Sequence, residues 1–303
     1  PESLDAYEQY LQRTDPQNPA YKRALARKGE LLYRLKRYDE ALAVLNPLTY
    51  EDTEADIRAS CLYFAAKVAS DQNDPNRAQS LLKQLIESCS GSPLVPFARY
   101  QLASVLASTG QLEQAAIEFA EAANYAQDDS LRIECRFRAA ETYDKVGWFD
   151  AAVTAYEDLL KQYPDTTYTP QALRGYAWAL FHARRYDDAL AATDRFLQAY
   201  AESPQRFDIA YLRGNCLQLK GLLQEAMKEY EALRKDAANT EFGARAHYRM
   251  AWVLFQMGNQ EEANREVDTF LSKYTDSPIR GDVLFLRGAL LLAKGNFQDA
   301  YEE

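Results

Sequence analysis

The sequence predicts an all-α fold, a right-handed superhelical solenoid built from antiparallel helical hairpins. Two observations predict it: an alanine returns every 37 residues without a slip, and a Gly or Ala stands twelve residues before each of these alanines. Such a period is typical of one supersecondary unit stacked on copies of itself, because insertions would break the packing between neighbours. The recurring alanines, called the anchors below, are Ala41, Ala78, Ala115, Ala152, Ala189, Ala226, Ala263 and Ala300.

The first helix of each unit is predicted from the residues that precede the anchor. The small residue and a mostly apolar residue three positions later share one helical face. Small side chains on that face let two helices approach closely. The small positions are Gly29, Ala66, Ala103, Ala140, Ala177, Gly214, Ala251 and Gly288, followed by Leu32, Ala69, Leu106, Tyr143, Leu180, Leu217, Leu254 and Leu291.

The turn and the second helix follow. Five units carry a glycine five residues before the anchor, at Gly110, Gly147, Gly221, Gly258 and Gly295, where a left-handed residue would end the first helix. Lys36, Asn73 and Arg184 hold the same slot in the other units. Acidic residues such as Asp150, Glu225 and Asp299 come next and suit the positive end of a helix dipole. In the second unit, Asp74 and Pro75 are predicted to be the N-cap and the first helical residue.

The 37-residue period indicates that the chain is one continuous array of repeats. Leu11 lies 37 residues before Leu48, so we expect the chain to begin inside a repeat and to be a segment of a longer protein. The predicted parts are a second helix with its linker at 1–21, seven full repeats at 22–58, 59–95, 96–132, 133–169, 170–206, 207–243 and 244–280, and a partial eighth at 281–303.

The repeated pattern resembles the tetratricopeptide repeat (TPR). The unit that shows it best runs from Phe137 through Ala140, Tyr143, the turn Gly147-Trp148-Phe149, Ala152 and Tyr156 to Pro164. The usual period of this family is about 34 residues, and the longer period here is similar to that of bacterial cell-envelope members, such as outer-membrane assembly lipoproteins and Tol-Pal coordinators. The resemblance implies a periplasmic or envelope location, with the cytoplasm as the alternative.

Composition restricts the class of partner. The chain has 303 residues, 47% of them hydrophobic, and a net charge of −10 from 35 basic and 45 acidic residues. An acidic chain is poorly suited to nucleic acid or to anionic lipid surfaces. No stretch approaches the roughly 20 apolar residues of a membrane span. We therefore expect a protein or peptide partner, no nucleic acid, no direct membrane insertion, and self-association as a possibility.

No catalytic, cofactor or metal site is predicted. The two histidines, His182 and His247, lie in different units, and HExxH, GxSxG, CxxC and phosphate-loop motifs are missing from the sequence. His182 occupies a position expected to face the inner groove, but a solvated or packed residue is the favoured interpretation. A Cys61–Cys89 bridge is one reading of the four cysteines; four reduced, partly buried thiols are favoured.

The resemblance implies that first helices line a concave groove, and this directs attention to an aromatic column. The position fifteen residues before each anchor is aromatic in six of eight repeats. We expect these rings to be rotated away from the face that closes the hairpin, although packing between hairpins is the competing interpretation. The predicted partner-binding residues are Tyr63, Tyr100, Phe137, Arg174, Trp178, Phe181, Tyr211, Asn215, Tyr248, Trp252, Phe255 and Phe285, with the best region between Pro170 and Arg280. Arg174 and Asn215 alone resemble the family's carboxylate clamp, and they lie in different units, so that clamp is not predicted.

The predicted function is a non-catalytic interaction scaffold that binds a partner peptide or helix in the aromatic groove, in a bacterial envelope assembly. Two alternatives stay open. One is a structural array that assembles with itself through its edges or convex face. The other is a regulatory arm of an enzyme whose catalytic domain lies outside these residues.

Overall fold

The computed structural model describes residues 2–50, 52–296 and 300. In that part of the chain all regular secondary structure is helical: sixteen α-helices and one 3-10 turn at Asn46–Leu48. The all-α prediction is confirmed. Asp299, which the sequence assigns to the start of the last second helix, lies outside the described residues.

The helices form two compact units, and each is described by itself. The first unit ends at Tyr163 and the second begins at Pro164. The first contains α1 (Glu2–Arg13), α2 (Pro19–Arg34), α3 (Tyr38–Leu45), α4 (Ala55–Asp71), α5 (Pro75–Ser88), α6 (Val95–Ser108), α7 (Leu112–Tyr125), α8 (Asp129–Val146) and α9 (Phe149–Gln162). The second contains α10 (Thr169–His182), α11 (Tyr186–Ala199), α12 (Arg206–Leu219), α13 (Leu223–Asp236), α14 (Glu241–Gln256), α15 (Gln260–Lys273) and α16 (Arg280–Ala293).

Each even-numbered helix from α2 to α14 is the first helix of a hairpin, and the next helix in the chain is the second. The turn in each of these seven hairpins contains one left-handed residue at the predicted slot, and Gly295 after α16 has the same backbone, with φ between 59° and 88° for all eight residues. The following N–H closes the turn: Trp148 donates to the carbonyl of Tyr143 and Arg185 to that of Leu180, each at 2.9 Å. This is the Schellman arrangement that ends a helix. The prediction for the five glycines is confirmed, and Lys36, Asn73 and Arg184 adopt the same backbone.

A left-handed arginine provides a test of the repeat geometry. Arg184 has a φ of 60°, a conformation that costs a residue with a Cβ about 1–2 kcal/mol. Part of that cost is offset by the greater freedom of glycine in the unfolded chain. We expect Arg184→Gly to raise the free energy of unfolding by about 0.5–1 kcal/mol, measured by urea denaturation. The reverse change, Gly147→Ala, is expected to lower it by about 1 kcal/mol, and equal midpoints for both variants would contradict the turn assignment.

The second helices begin as the sequence indicates. The Asp74 carboxylate accepts a hydrogen bond from the Arg77 N–H at 3.1 Å, and α5 starts at Pro75. Acidic residues occupy the first turn of every second helix between α7 and α15. Carboxylates at these ends complement the unpaired N–H groups and the helix dipole.

The small positions bring the two helices of a hairpin into contact. A Cβ added to Gly29 would lie 2.4 Å from Leu45 Cδ2, and a Cβ added to Gly214 would lie 2.5 Å from Tyr230 Cε1. In both hairpins the partner stands four residues after the anchor, one helical turn further along the second helix. The two glycines are therefore required by close approach.

The cysteines are part of the core. All four are buried free thiols, so Cys61 and Cys89 are not bridged in the structure. Burial raises the pKa of Cys61 to about 12, and Cys135 and Cys216 share that environment and that value. Because the thiolate is the reactive form, these three groups are inert at neutral pH.

Half of the aromatic column does not point where the sequence suggested. Three of its six rings, those of Tyr100, Phe137 and Tyr211, contact a ring on the second helix of their own hairpin, so for these three the expectation that they are rotated away from the closing face is wrong. The centroid distances are 5.5 Å for Tyr100 and Phe119, 6.3 Å for Phe137 and Tyr156, and 6.3 Å for Tyr211 and Tyr230. The reason is helical geometry: the column lies three residues before the small position, and residues three apart share a face.

Candidate partner-binding face

The first helices of the second unit lie side by side, with α12 in contact with both α10 and α14. The predicted region from Pro170 to Arg280 falls on these helices and their hairpin partners. Two groups of half-buried aromatic side chains lie on these helices, one on α10 and one on α14. We call this surface the first-helix face of the second unit.

The group on α10 is built around Trp178. Its ring lies 5.7 Å from that of Phe181 and 5.7 Å from that of His182, and Phe181 lies 5.8 Å from Tyr186 at the start of α11. Trp178 and Phe181 are half-buried and His182 is exposed. The sequence predicted Trp178 and Phe181, whereas Tyr186 was missed because it belongs to the following helix.

An aspartate on α12 fixes the orientation of this group. The indole Nε1 of Trp178 donates to Asp208 Oδ2 at 3.0 Å, and the Arg174 guanidinium pairs with the same oxygen. The Asp208 side chain is only 13% exposed, so the two hydrogen bonds compensate for removing its charge from water. The edge of the indole is therefore held, while its ring is half-buried and packs on the core formed by α12, α13 and α14.

The column position is linked to the next repeat by a recurring contact. Each of three side chains meets a partner 34 residues away: Arg174 meets Asp208, the Tyr100 hydroxyl donates to Glu134 at 2.7 Å, and the Tyr211 ring lies 5.8 Å from Arg245. The partner stands one helical turn before the equivalent column position of the next first helix. Sequence reasoning missed Asp208 and Glu134, although acidic residues at this offset are visible in the repeats.

The middle of the face is packed. Tyr211 is only 8% exposed, and its hydroxyl accepts a hydrogen bond from Arg249 Nε at 2.9 Å. Asn215 is 5% exposed, and its Oδ1 accepts a hydrogen bond from the Tyr230 hydroxyl at 2.7 Å. Asn215 therefore stabilises the hairpin interior, and its assignment as a partner contact is wrong because its amide is buried against the second helix.

The group on α14 contains Tyr248, Trp252 and Phe255. Trp252 lies 6.5 Å from Tyr248 and 5.8 Å from Phe255, both in edge-on arrangements. All three are half-buried, and they pack on the core shared by α14, α15 and α16. The Arg249 guanidinium lies 5.8 Å from the Tyr248 ring, which places a cation beside the aromatic group.

The remaining predicted residues lie apart from these two groups. In the first unit Tyr63 is half-buried, and the Lys67 ammonium lies 5.7 Å from the centroid of its ring. Tyr100 is also half-buried, whereas Phe137 is only 5% exposed. Phe285 on α16 is 71% exposed. Phe137 is therefore a core residue and not a surface contact.

The face offers aromatic surface, guanidinium groups and a carboxylate. Within the described residues there is no cluster of three or more His, Cys, Asp or Glu side chains placed to hold a metal ion. None of the described helices is both long and apolar enough to cross a membrane. The groups on this face are suited to contact with another polypeptide through stacking and hydrogen bonding.

Comparison with known proteins identifies the repeat. A family model described as the tetratricopeptide repeat matches residues 1–52, 65–129, 137–204 and 248–303, which is most of the chain. The chain belongs to the tetratricopeptide repeat family. The resemblance drawn from the sequence is thus confirmed, and this TPR protein is a scaffold for protein–protein interaction.

Individual relatives agree with the fold. A tetratricopeptide repeat protein from Parabacteroides merdae has a TM-score of 0.61 at 19% identity, covering 80% of this chain and 89% of that one. The C-terminal part of a TPR repeat-containing protein from Cytophaga hutchinsonii has a TM-score of 0.61 at 16% identity, with 86% and 99% covered. The outer membrane protein assembly factor BamD of Xylella fastidiosa is 33% identical over 87 residues, 29% of this chain. That match spans 30% of the length of BamD.

Proposed function

We propose that this TPR protein binds a segment of a partner protein on the first-helix face of its second unit. The observation that supports this proposal is the pair of aromatic groups that remain half-buried after the hairpins have closed. Aromatic rings next to guanidinium groups are typical of the residues that dominate binding energy in protein interfaces. The carboxylate of Asp208 holds the indole of Trp178, so less side-chain entropy is lost when a partner binds.

The proposed partner segment presents apolar or aromatic side chains to Trp178 and Trp252 and a hydrogen-bond acceptor to a guanidinium group. An acceptor is favoured because Arg245 and Arg249 lie beside the rings of Tyr211 and Tyr248. We further propose that the scaffold works in a bacterial envelope assembly. The partial match to BamD, an outer membrane protein assembly factor, supports that location.

The binding proposal is tested by capturing partners from a lysate of the native cell with the wild-type chain and with Trp178→Ala and Trp252→Ala. Removing a ring at the centre of an interface costs about 2 kcal/mol or more, which is a loss of about thirtyfold in affinity. We expect a partner retained by the wild type and lost by both variants, quantified by mass spectrometry.

A matched control removes an aromatic ring elsewhere. Tyr125 on the second helix α7 is 53% exposed, and Tyr125→Ala should retain the partner. Circular dichroism and thermal melting establish that every variant is folded. Equal capture by all four proteins would reject the first-helix face as the binding surface. Fractionation of the native cell tests the location, and recovery of the protein in the cytoplasm alone would reject the envelope.

A further inference from the structure

An open groove lies in the first unit between α7 and α9, with α8 as its floor. Its volume is about 720 Å³, within the range of roughly 300–1,000 Å³ that is typical of binding pockets. It involves none of the residues of the first-helix face of the second unit. One wall carries Trp148, which is 39% exposed, and its ring lies 5.9 Å from that of Tyr143.

The reason for the groove becomes clear two repeats later, where the chain fills the equivalent place itself. Arg213 on α12 pairs with Asp194 on α11 at 2.9 Å and also with Glu229 on α13. One arginine thus bridges two second helices. The residues 74 positions earlier, which is two periods, are Ala139, Ala120 and Ala155, and all three line the groove. The groove therefore exists because three alanines stand at the positions that hold an arginine and its two acidic partners in the later repeat.

The rim of the groove retains negative charge. Asp150 and Asp158 on α9 line it and are exposed, and neither carboxylate has an ion-pair partner within the described part of the chain. Arg136 is the cation at the far end. Its guanidinium donates to Gln162 Oε1 and lies 5.8 Å from the ring of Tyr163, so it is directed toward the end of α9. A cation inserted from outside would meet two carboxylates and the two aromatic side chains that line the groove, Tyr143 and Trp148.

We propose that this groove binds an amphipathic helix of a partner protein, which inserts an arginine or lysine side chain where Arg213 lies in the later repeat. The alanines that line the floor and the two walls allow the backbone of a helix to approach closely. Asp150 and Asp158 lie eight residues apart, about 12 Å along α9. A partner helix with basic residues seven or eight positions apart matches that distance, and Trp148 and Tyr143 stack against its first cation.

The test is selection of peptides from a displayed library of helices about five turns long, with the full chain as the target. A closed variant, Ala120→Asp/Ala139→Arg/Ala155→Glu, serves as the counter-target because it installs the Arg213 arrangement in the groove. We expect peptides that bind the wild type and not the closed variant, enriched in arginine or lysine at two positions seven or eight apart.

A second variant keeps the test decisive if the closed variant fails to fold. Asp150→Asn/Asp158→Asn changes exposed side chains only, and it should weaken a selected peptide about tenfold or more, with the loss reduced at high salt. As a matched control, Asp194→Ala/Arg213→Ala/Glu229→Ala opens the later groove, where Gln224 and Ala232 replace the two rim aspartates. Because the opened groove in the second unit lacks those two carboxylates, we expect this variant to bind the same peptide no more tightly than the wild type does.

Three outcomes would overturn the proposal. The first is that no peptide distinguishes the wild type from either groove variant. The second is that the distinguishing peptides lack basic residues at the expected spacing. The third is that sedimentation shows a self-associated chain whose assembly is broken by the groove variants, which would make a second copy the occupant.

Discussion

Gly214→Ala is expected to destabilise the second unit by about 3 kcal/mol, at the upper end of the cost of overpacking a core. The added Cβ would lie 2.5 Å from Cε1 and 2.8 Å from Cζ of Tyr230. Tyr230 is fully buried, and its hydroxyl donates to Asn215. A shift of the ring away from the added Cβ would strain that hydrogen bond. The measurement is the urea midpoint for unfolding of α12 and α13. Amide hydrogen exchange is used to follow these two helices, because repeat arrays do not always unfold in one step.

A double-mutant cycle separates the cost of the clash with Tyr230 from any general cost of placing alanine at position 214. The next hairpin carries Ala251 and Val267 at the same two positions, and both are buried. Copying that pair, Gly214→Ala in a Tyr230→Val background should cost less than about 1 kcal/mol, since the clashing ring is gone. If alanine costs the same in both backgrounds, contact with Tyr230 is not the reason for the glycine.

The 37-residue period predicted most of the fold because the residues that every repeat requires recur at that spacing. A turn that ends one helix and starts the next requires a left-handed residue, and the slot is occupied in the same way at Gly147 and at Arg184. Close helix contact requires a small residue, and Gly29 and Gly214 each face a side chain four residues after an anchor. These are local requirements that every repeat shares, so a single sequence contains enough instances to find them.

The direction of the Tyr100, Phe137 and Tyr211 rings was predicted wrongly because one helical face was divided into two. Phe137 and Tyr211 stand three residues before Ala140 and Gly214, and that spacing places each pair on the same face. The rings therefore pack against the second helix, as the 6.3 Å distance between Tyr211 and Tyr230 shows. The spacing of three residues between the ring and the small position was sufficient to predict this contact.

Contacts between repeats were harder to predict than contacts within one. The pairing of Arg174 with Asp208 depends on the axial offset between successive first helices. One repeat taken alone does not contain that offset. The comparison of Ala139 with Arg213 is different, because it needs only the alignment of repeats that the period supplies. An unfilled position can be found in this way before a structure is known, although its volume cannot.

Glu266→Gln is expected to lower the free energy of unfolding by about 2–3 kcal/mol. Glu266 joins three helices of the second unit: its Oε2 lies 2.7 Å from Nδ1 of His247, and its Oε1 lies 3.0 Å from Nη1 of Arg234. His247 is 4% exposed, so the loss of the carboxylate leaves a buried polar ring beside a neutral amide. Glu261→Gln on the same helix is the control, because its side chain is 85% exposed and its charge contributes little.

The same carboxylate should make stability depend on pH in a defined direction. Burial acts to raise the pKa of Glu266, but hydrogen bonds and charges from His247 and Arg234 outweigh it, and the pKa is lowered. The folded state therefore binds this proton less readily than the unfolded state, in which the pKa is about 4.3. The contribution of Glu266 is present above that value and is lost as the pH falls through the lower folded-state pKa. Urea midpoints measured between about pH 7 and pH 3 should fall more steeply for the wild type than for Glu266→Gln. Parallel curves would show that the carboxylate titrates alike in both states, and its bonds to His247 and Arg234 would then contribute no net stabilisation of its charge.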